Sequence, residues 1–92
     1  MVSGSLIANW RTVPEGSASR VGVIAGRKLG PAVVRNRARR LLREAFRLHQ
    51  QELDSPIDLV LVARAAIRRR RFRDVEREFL GVLRRADLGQ PS

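Results

Sequence analysis

The chain of 92 residues contains no cysteine. That absence removes disulfides, thiolate nucleophiles and cysteine-based zinc sites together, and it fits a reducing compartment, the cytoplasm. No apolar run approaches the roughly 18–20 residues of a membrane span, and the first residues lack the apolar core of a signal peptide. Acids are few: nine Asp and Glu stand against nineteen Lys and Arg. A protein-only nuclease would need clustered carboxylates or histidines for metal or general-base work. Glu15, Glu44, Glu52, Asp54, Asp58, Asp74, Glu76, Glu78 and Asp87 are instead scattered, or sit among arginines in the manner of surface pairs. The sequence therefore offers no catalytic residue, no metal site and no small-molecule chemistry. Its single histidine, His49, has no carboxylate or second histidine at ligand spacing and reads as a packing residue.

What is present in excess is positive charge. At 10.4 kDa the chain is one domain, expected over residues 1–88 with a frayed tail at 89–92, and a chain this short buries only about 60–65% of its unfolded surface. A content of 43% hydrophobic and 30% charged residues is that of a globular protein. The net charge of +10 and pI near 11.9 call for a polyanionic partner. Only Lys28 among the cations is lysine. Arginine forks match phosphate geometry and stack on bases, which favours RNA or DNA. The charge is uneven, with residues 1–26 carrying +1, 27–53 carrying +6 and 54–92 carrying +3.

Ser5–Val13 and Arg20–Ala25 read as strands, and Pro14, Gly16 and Ser17 between them predict an antiparallel hairpin. Gly30-Pro31 opens a helix expected to reach about Glu52. At about 100° per residue Val34, Ala38, Leu41, Leu42, Ala45 and Leu48 share one arc, and Arg35, Asn36, Arg39, Arg40, Arg43 and Arg47 the other. Asp54-Ser55-Pro56 breaks the chain. Ile57–Ala63 is a nearly continuous apolar run, the pattern of a central strand covered on both faces. Ala65–Arg71 reads as a linker ending in four arginines, Arg68, Arg69, Arg70 and Arg71. They cannot all share one helix face, and they form a possible secondary RNA contact. A last amphipathic helix carries Phe72, Val75, Phe79, Val82, Leu83 and Ala86.

The stretch GRKLGPAVVRNRARRLLRE, residues 26–44, concentrates the chemistry. Two cations before a glycine, then Arg-Asn-Arg at a helix start, bring guanidinium groups and free backbone N–H donors near one point. Arginines at four-residue intervals extend the track along the helix, with Glu44 the only acid among eight cations before Glu52. A merely solvated face would intersperse more glutamates. Arg35 and Arg37 are expected to face solvent.

This stretch closely resembles the signature of the bacterial ribonuclease P protein component. Lys28, Gly30, Ala32, Val33, Arg35, Asn36, Arg37, Arg39, Arg40, Arg43 and Glu44 stand where that pattern places them. PIDLVLVAR and the final helix are similar to the family's next strand and helix, so the resemblance covers about residues 3–87. Gly26 and Arg27 replace the family's usual Ser and Lys. The basic segment that normally precedes the first strand is missing, for which a misassigned start codon is the expected cause.

The resemblance implies a three-layer α/β fold of α+β type: a small, mostly antiparallel sheet, a left-handed βαβ crossover around the Arg-Asn-Arg helix, and a C-terminal amphipathic helix. It implies a protein subunit of the tRNA 5′-processing ribonucleoprotein, whose RNA carries catalysis with Mg²⁺. The protein alone would bind no cofactor and cleave nothing. Its partners would be the catalytic RNA and the 5′ leader of precursor tRNA, with no membrane involved. Arg27, Lys28, Arg35, Asn36, Arg37, Arg39, Arg40, Arg43 and Arg47 would contact RNA. Trp10 is either a stacking residue for the leader or a core residue. The alternatives are a structural, ribosome-associated RNA-binding protein and a DNA-binding regulator. Against the regulator, the helix offers few base readers and no companion helix precedes it.

Overall fold

Leu6–Thr12 and Ile57–Ala63 pair along their whole length and make the centre of the sheet. In the computed structural model, which describes residues 1–89, the elements are β1 (Val2–Ser3), β2 (Leu6–Thr12), β3 (Arg20–Ile24), α1 (Ala32–His49), β4 (Ile57–Ala63) and α2 (Phe72–Arg85). Short 3₁₀ turns at Arg27–Leu29, Gln50–Glu52 and Ala65–Arg69 precede α1, follow it and precede α2. The sheet order is β1-β2-β4-β3, with β3 and β4 parallel and the other pairs antiparallel.

This order corrects the expected hairpin, because β4 lies between β2 and β3. The apolar run IDLVLVA gains hydrogen-bonded neighbours on both edges there, whereas a β2–β3 hairpin would leave it at an edge. The link from Thr12 to Arg20 must cross about 10 Å, two strand spacings. It is stitched to the start of β4, where Val13 N–H donates to the Pro56 carbonyl at 3.1 Å and Ile57 N–H donates to Ser19 Oγ at 3.0 Å. From β3 the chain crosses through α1 to its parallel neighbour β4, as parallel pairing requires.

The two faces of the sheet differ. Leu6, Ala8, Ile57, Leu59 and Leu61 are buried on one side, against Ala38, Leu42, Ala45 and Phe46 of α1 and Val75, Phe79, Val82 and Leu83 of α2. Both helices cover this side, so the described residues form two layers, not the three expected. β4 is accordingly central but covered on one face, and Val60 on the other is 38% exposed. On that open face the pairing register builds three rows across the strands: Val2–Ile7–Val62–Ile24, then Asn9–Val60–Gly22, then Arg11–Asp58–Arg20.

The apolar stripe of α1 is rotated from its expected position. Phe46 is in the core while Leu48 is 47% exposed. On a helical wheel Phe46 and Leu42 flank the direction of Arg35, which the rotation brings to the edge of the core. Residues 65–71 are more than a linker, since Ile67 is fully buried. The fold also extends into the expected tail: Gly89 bridges to Leu53, and Asp54 N–H donates to the Leu88 carbonyl at 2.9 Å. Residues 90–92 of that tail lie outside the described residues. Among the described residues no helix is long and apolar enough to cross a membrane.

Candidate nucleic-acid interface

The start of α1 is fixed from both sides. Leu29 is buried and pins its 3₁₀ turn, which leaves Arg27 and Lys28 exposed. Gly30 then adopts φ 145°, a backbone conformation that side chains disfavour, and Pro31 leads directly into the first helical turn. Further along α1, Asn36, Arg40, Arg43 and Arg47 are exposed and Arg39 is half-buried. Together with Glu44 they line one shallow groove. Asn36 Oδ1 accepts from Arg39 Nη1 at 2.9 Å, and Glu44 Oε1 accepts from Arg47 Nε at 2.6 Å. These contacts orient two of the arginines, while Arg40 and Arg43 are exposed beside them.

Arg35 and Arg37 do not face solvent as expected. Both are half-buried. Arg35 sits on the core side of the helix, and its buried Nε has no hydrogen-bond partner among the described residues. Arg37 points toward the 3₁₀ turn before α2, where Nη2 donates to the Arg70 carbonyl at 2.6 Å and Nη1 to the Ile67 carbonyl at 3.4 Å. Of the second cluster, Arg68, Arg69 and Arg71 are exposed, while Arg70 lies 3.4 Å from the Glu78 carboxylate. Arg71 opens α2, its backbone N–H donating to Asp74 Oδ2 at 3.0 Å.

Trp10 pairs in register with Leu59 and packs, partly buried, against the core on the helix-covered side. This placement favours the core reading over the stacking one, and none of the strand residues on the open face is aromatic. Two charged sites escaped the sequence reading. Asp58 accepts from Arg20 (3.0 Å) and from Arg11 (3.1 Å), which joins β3 and β2 to β4 between them. The hydrogen bonds from Arg20 and then Arg11 hold its carboxyl below the usual aspartate range. His49 is the second: its Nδ1 meets Glu52 and its Nε2 meets Glu76 Oε2 at 2.7 Å, so it joins α1 to α2 and is not merely a packing residue. Burial lowers its pKa, but the hydrogen bonds to Glu76 and Glu52 outweigh that effect and leave it raised. Glu52 was visible three residues on; Glu76 and the Asp58 pairs depend on tertiary packing and strand register.

Chemically, the arginine face is an array of donors with one carboxylate, Glu44, already engaged by Arg47. Among the described residues no group of three or more His, Cys, Asp or Glu could hold a metal ion. The class is therefore that of small basic α+β domains whose crossover helix presents cations for binding. The ribonuclease P family pattern matches residues 2–87, and the chain belongs to that family.

The ribonuclease P protein component of Clostridioides difficile is 38% identical over 71 residues, covering 76% of this chain and 62% of the relative. That of Syntrophomonas wolfei is 39% identical over 70 residues, covering 76% and 59%. The matched part thus spans about three fifths of these relatives. Among solved structures, the RNase P protein of Thermotoga maritima aligns with a TM-score of 0.78 at 26% identity, over 92% of this chain and 80% of that one. The Staphylococcus aureus RNase P protein reaches a TM-score of 0.84 at 23% identity, over 98% and 82%, a likeness of fold.

Proposed function

We propose that the chain is the protein subunit of ribonuclease P. It binds the catalytic RNA and holds the 5′ leader of precursor tRNA, assisting endonucleolytic 5′ maturation in the cytoplasm. The observation that carries this reading is the exposed α1 face of Asn36, Arg40, Arg43 and Arg47 in a chain of this family. Guanidinium groups spaced along a helix match successive phosphates of a folded RNA and need no deformation of the protein to do so. Arg39, Arg27 and Lys28 extend the same surface, and Arg35 contributes from its edge.

The leader is assigned to the open sheet face. Its apolar row Val2–Ile7–Val62–Ile24 offers flat contact to unstacked bases, and Arg11 and Arg20 at its charged end offer phosphate contacts. Hydrolysis belongs to the RNA with Mg²⁺; the protein contributes affinity and orientation. The test is reconstitution with a bacterial ribonuclease P RNA and labelled precursor tRNA at low Mg²⁺. A large rise in 5′-leader cleavage with the chain, and none from the chain alone, is expected. RNA binding without any stimulation would favour a structural RNA-binding role instead.

A further inference from the structure

We infer that Arg37 is a positioning residue: its guanidinium clamps the turn at Ala65–Arg69 onto α1, so that Arg68 and Arg69 join the α1 arginines in one phosphate-binding surface. The inference rests on the reading that the arginine face binds RNA, and it assigns Arg37 a role other than direct contact.

Four observations converge. Arg37 is half-buried, and its two terminal nitrogens are engaged by the carbonyls of Arg70 (2.6 Å) and Ile67 (3.4 Å). Those carbonyls bracket Arg68 and Arg69, which are exposed. The guanidinium carbon of Arg68 lies 3.6 Å from where a side chain on Gly30 would begin, which places it beside the first turn of α1 and next to the turn bearing Arg27 and Lys28. The far side of the segment is held separately, by buried Ile67 and by Arg70 against Glu78.

The electrostatics explain why a clamp is needed. Arg68 to Arg71 are four like charges in succession, brought against a helix that already carries a row of them. Mutual repulsion favours swinging the segment away from α1. A planar fork that bonds two carbonyls opposes this with fixed geometry, which a lysine ammonium cannot reproduce. The two basic clusters, separated in sequence by the chain from Arg47 to Arg68, then act as one surface.

The test uses the full chain and an Arg37→Lys variant, which keeps the charge and removes the fork. Hydrogen exchange on the free protein is expected to show the amides of Ile67 and Arg70 exchanging about tenfold faster in the variant, with Leu59 and Leu61 unchanged. Unchanged exchange at Ile67 and Arg70 would overturn the clamp. Affinity for ribonuclease P RNA is then measured for Arg37→Lys, for Arg68→Ala with Arg69→Ala, and for all three together. Each of the first two should weaken binding about tenfold, and the triple variant should be no weaker than the double. Additive losses, or wild-type affinity in Arg37→Lys, would show that Arg37 does not act through the turn. A wild-type chain that does not bind the RNA would overturn the ligand and the functional reading together. The exchange measurement separates that failure from a failure of the clamp.

Discussion

The backbone N–H of Ser5 donates to Glu78 Oε2 at 3.1 Å, tying the start of β2 to the middle of α2 across 73 residues of sequence. Ser5 is the polar residue that is fully buried among the described residues, and its hydroxyl bonds the same carboxylate. Glu78 also faces Arg70, so one carboxylate serves the sheet and the second basic cluster.

Removing Glu78 should therefore cost more than a surface acid. Glu78→Ala leaves the Ser5 N–H and hydroxyl without a partner in a buried place, a loss of about 1–3 kcal/mol. Glu78→Gln retains an acceptor oxygen and should recover part of it. Urea denaturation of the three proteins checks this, and equal midpoints would mean that water reaches Ser5.

Gly4 belongs to the same site. It has φ 30°, and a Cβ there would run into the Glu78 carboxylate. Gly4→Ala should lower the urea midpoint, and combined with Glu78→Ala it should cost less than the two losses added, because the collision is gone. Full additivity would place the penalty in the backbone alone.

Trp10 should report on stability and not on RNA. A half-buried tryptophan packed on the core makes Trp10→Ala destabilising by about 2 kcal/mol or more. As the chain's only tryptophan it is a clean probe. Its emission maximum should stay put when a single-stranded RNA leader is added. Strong quenching with a shift would return it to the stacking role.

The sequence reading of Trp10 could not decide its face because β2 is apolar on both sides. Only the register with β4, which aligns Trp10 with Leu59 and Arg11 with Asp58, settles it. The helices were readable because 3/4 spacing is a local signal. Strand order was not, since choosing β4 over β2 as the neighbour of β3 depends on competition between distant segments. The same holds in the candidate site. The run of arginines was plain, but the rotation of α1 toward Phe46 half-buries Arg35, and the carbonyls that engage Arg37 belong to a turn that looked like a linker. Charge and period reveal which residues are candidates for binding; packing decides which of them turn inward.

His49 gives the fold a pH dependence of known sign. Its pKa is raised above 6.5 in the folded chain. The stability it contributes is fully present below that ordinary value, and it is lost as pH rises through the raised one. Melting of wild type and His49→Gln between about pH 5.5 and 9 should show a gap of about 0.5–1 kcal/mol at the acid end, closing toward the alkaline end. A gap that widened with pH would mean that neutral histidine is the form the fold prefers.

The salt dependence of RNA binding weighs the arginine face quantitatively. Each phosphate contact contributes about −0.7 to −0.9 to the slope of log K against log salt, according to the form of the RNA. If Arg39, Arg40, Arg43 and Arg47 all engage phosphates, α1 alone supplies a slope of about −3 to −3.5. Arg40→Ala with Arg43→Ala should make the measured slope shallower by about 1.5. The fold should be untouched, because both side chains are exposed. Glu44→Gln acts in the opposite sense. It releases Arg47, whose Nε is held at 2.6 Å, and removes the acid from the groove, so it should strengthen binding at low salt. A double alanine variant with an unchanged slope would place the phosphates elsewhere, and the Arg68–Arg69 turn would be the next surface to test. A shallower slope together with the Glu44→Gln gain would locate the RNA backbone along this one face of α1.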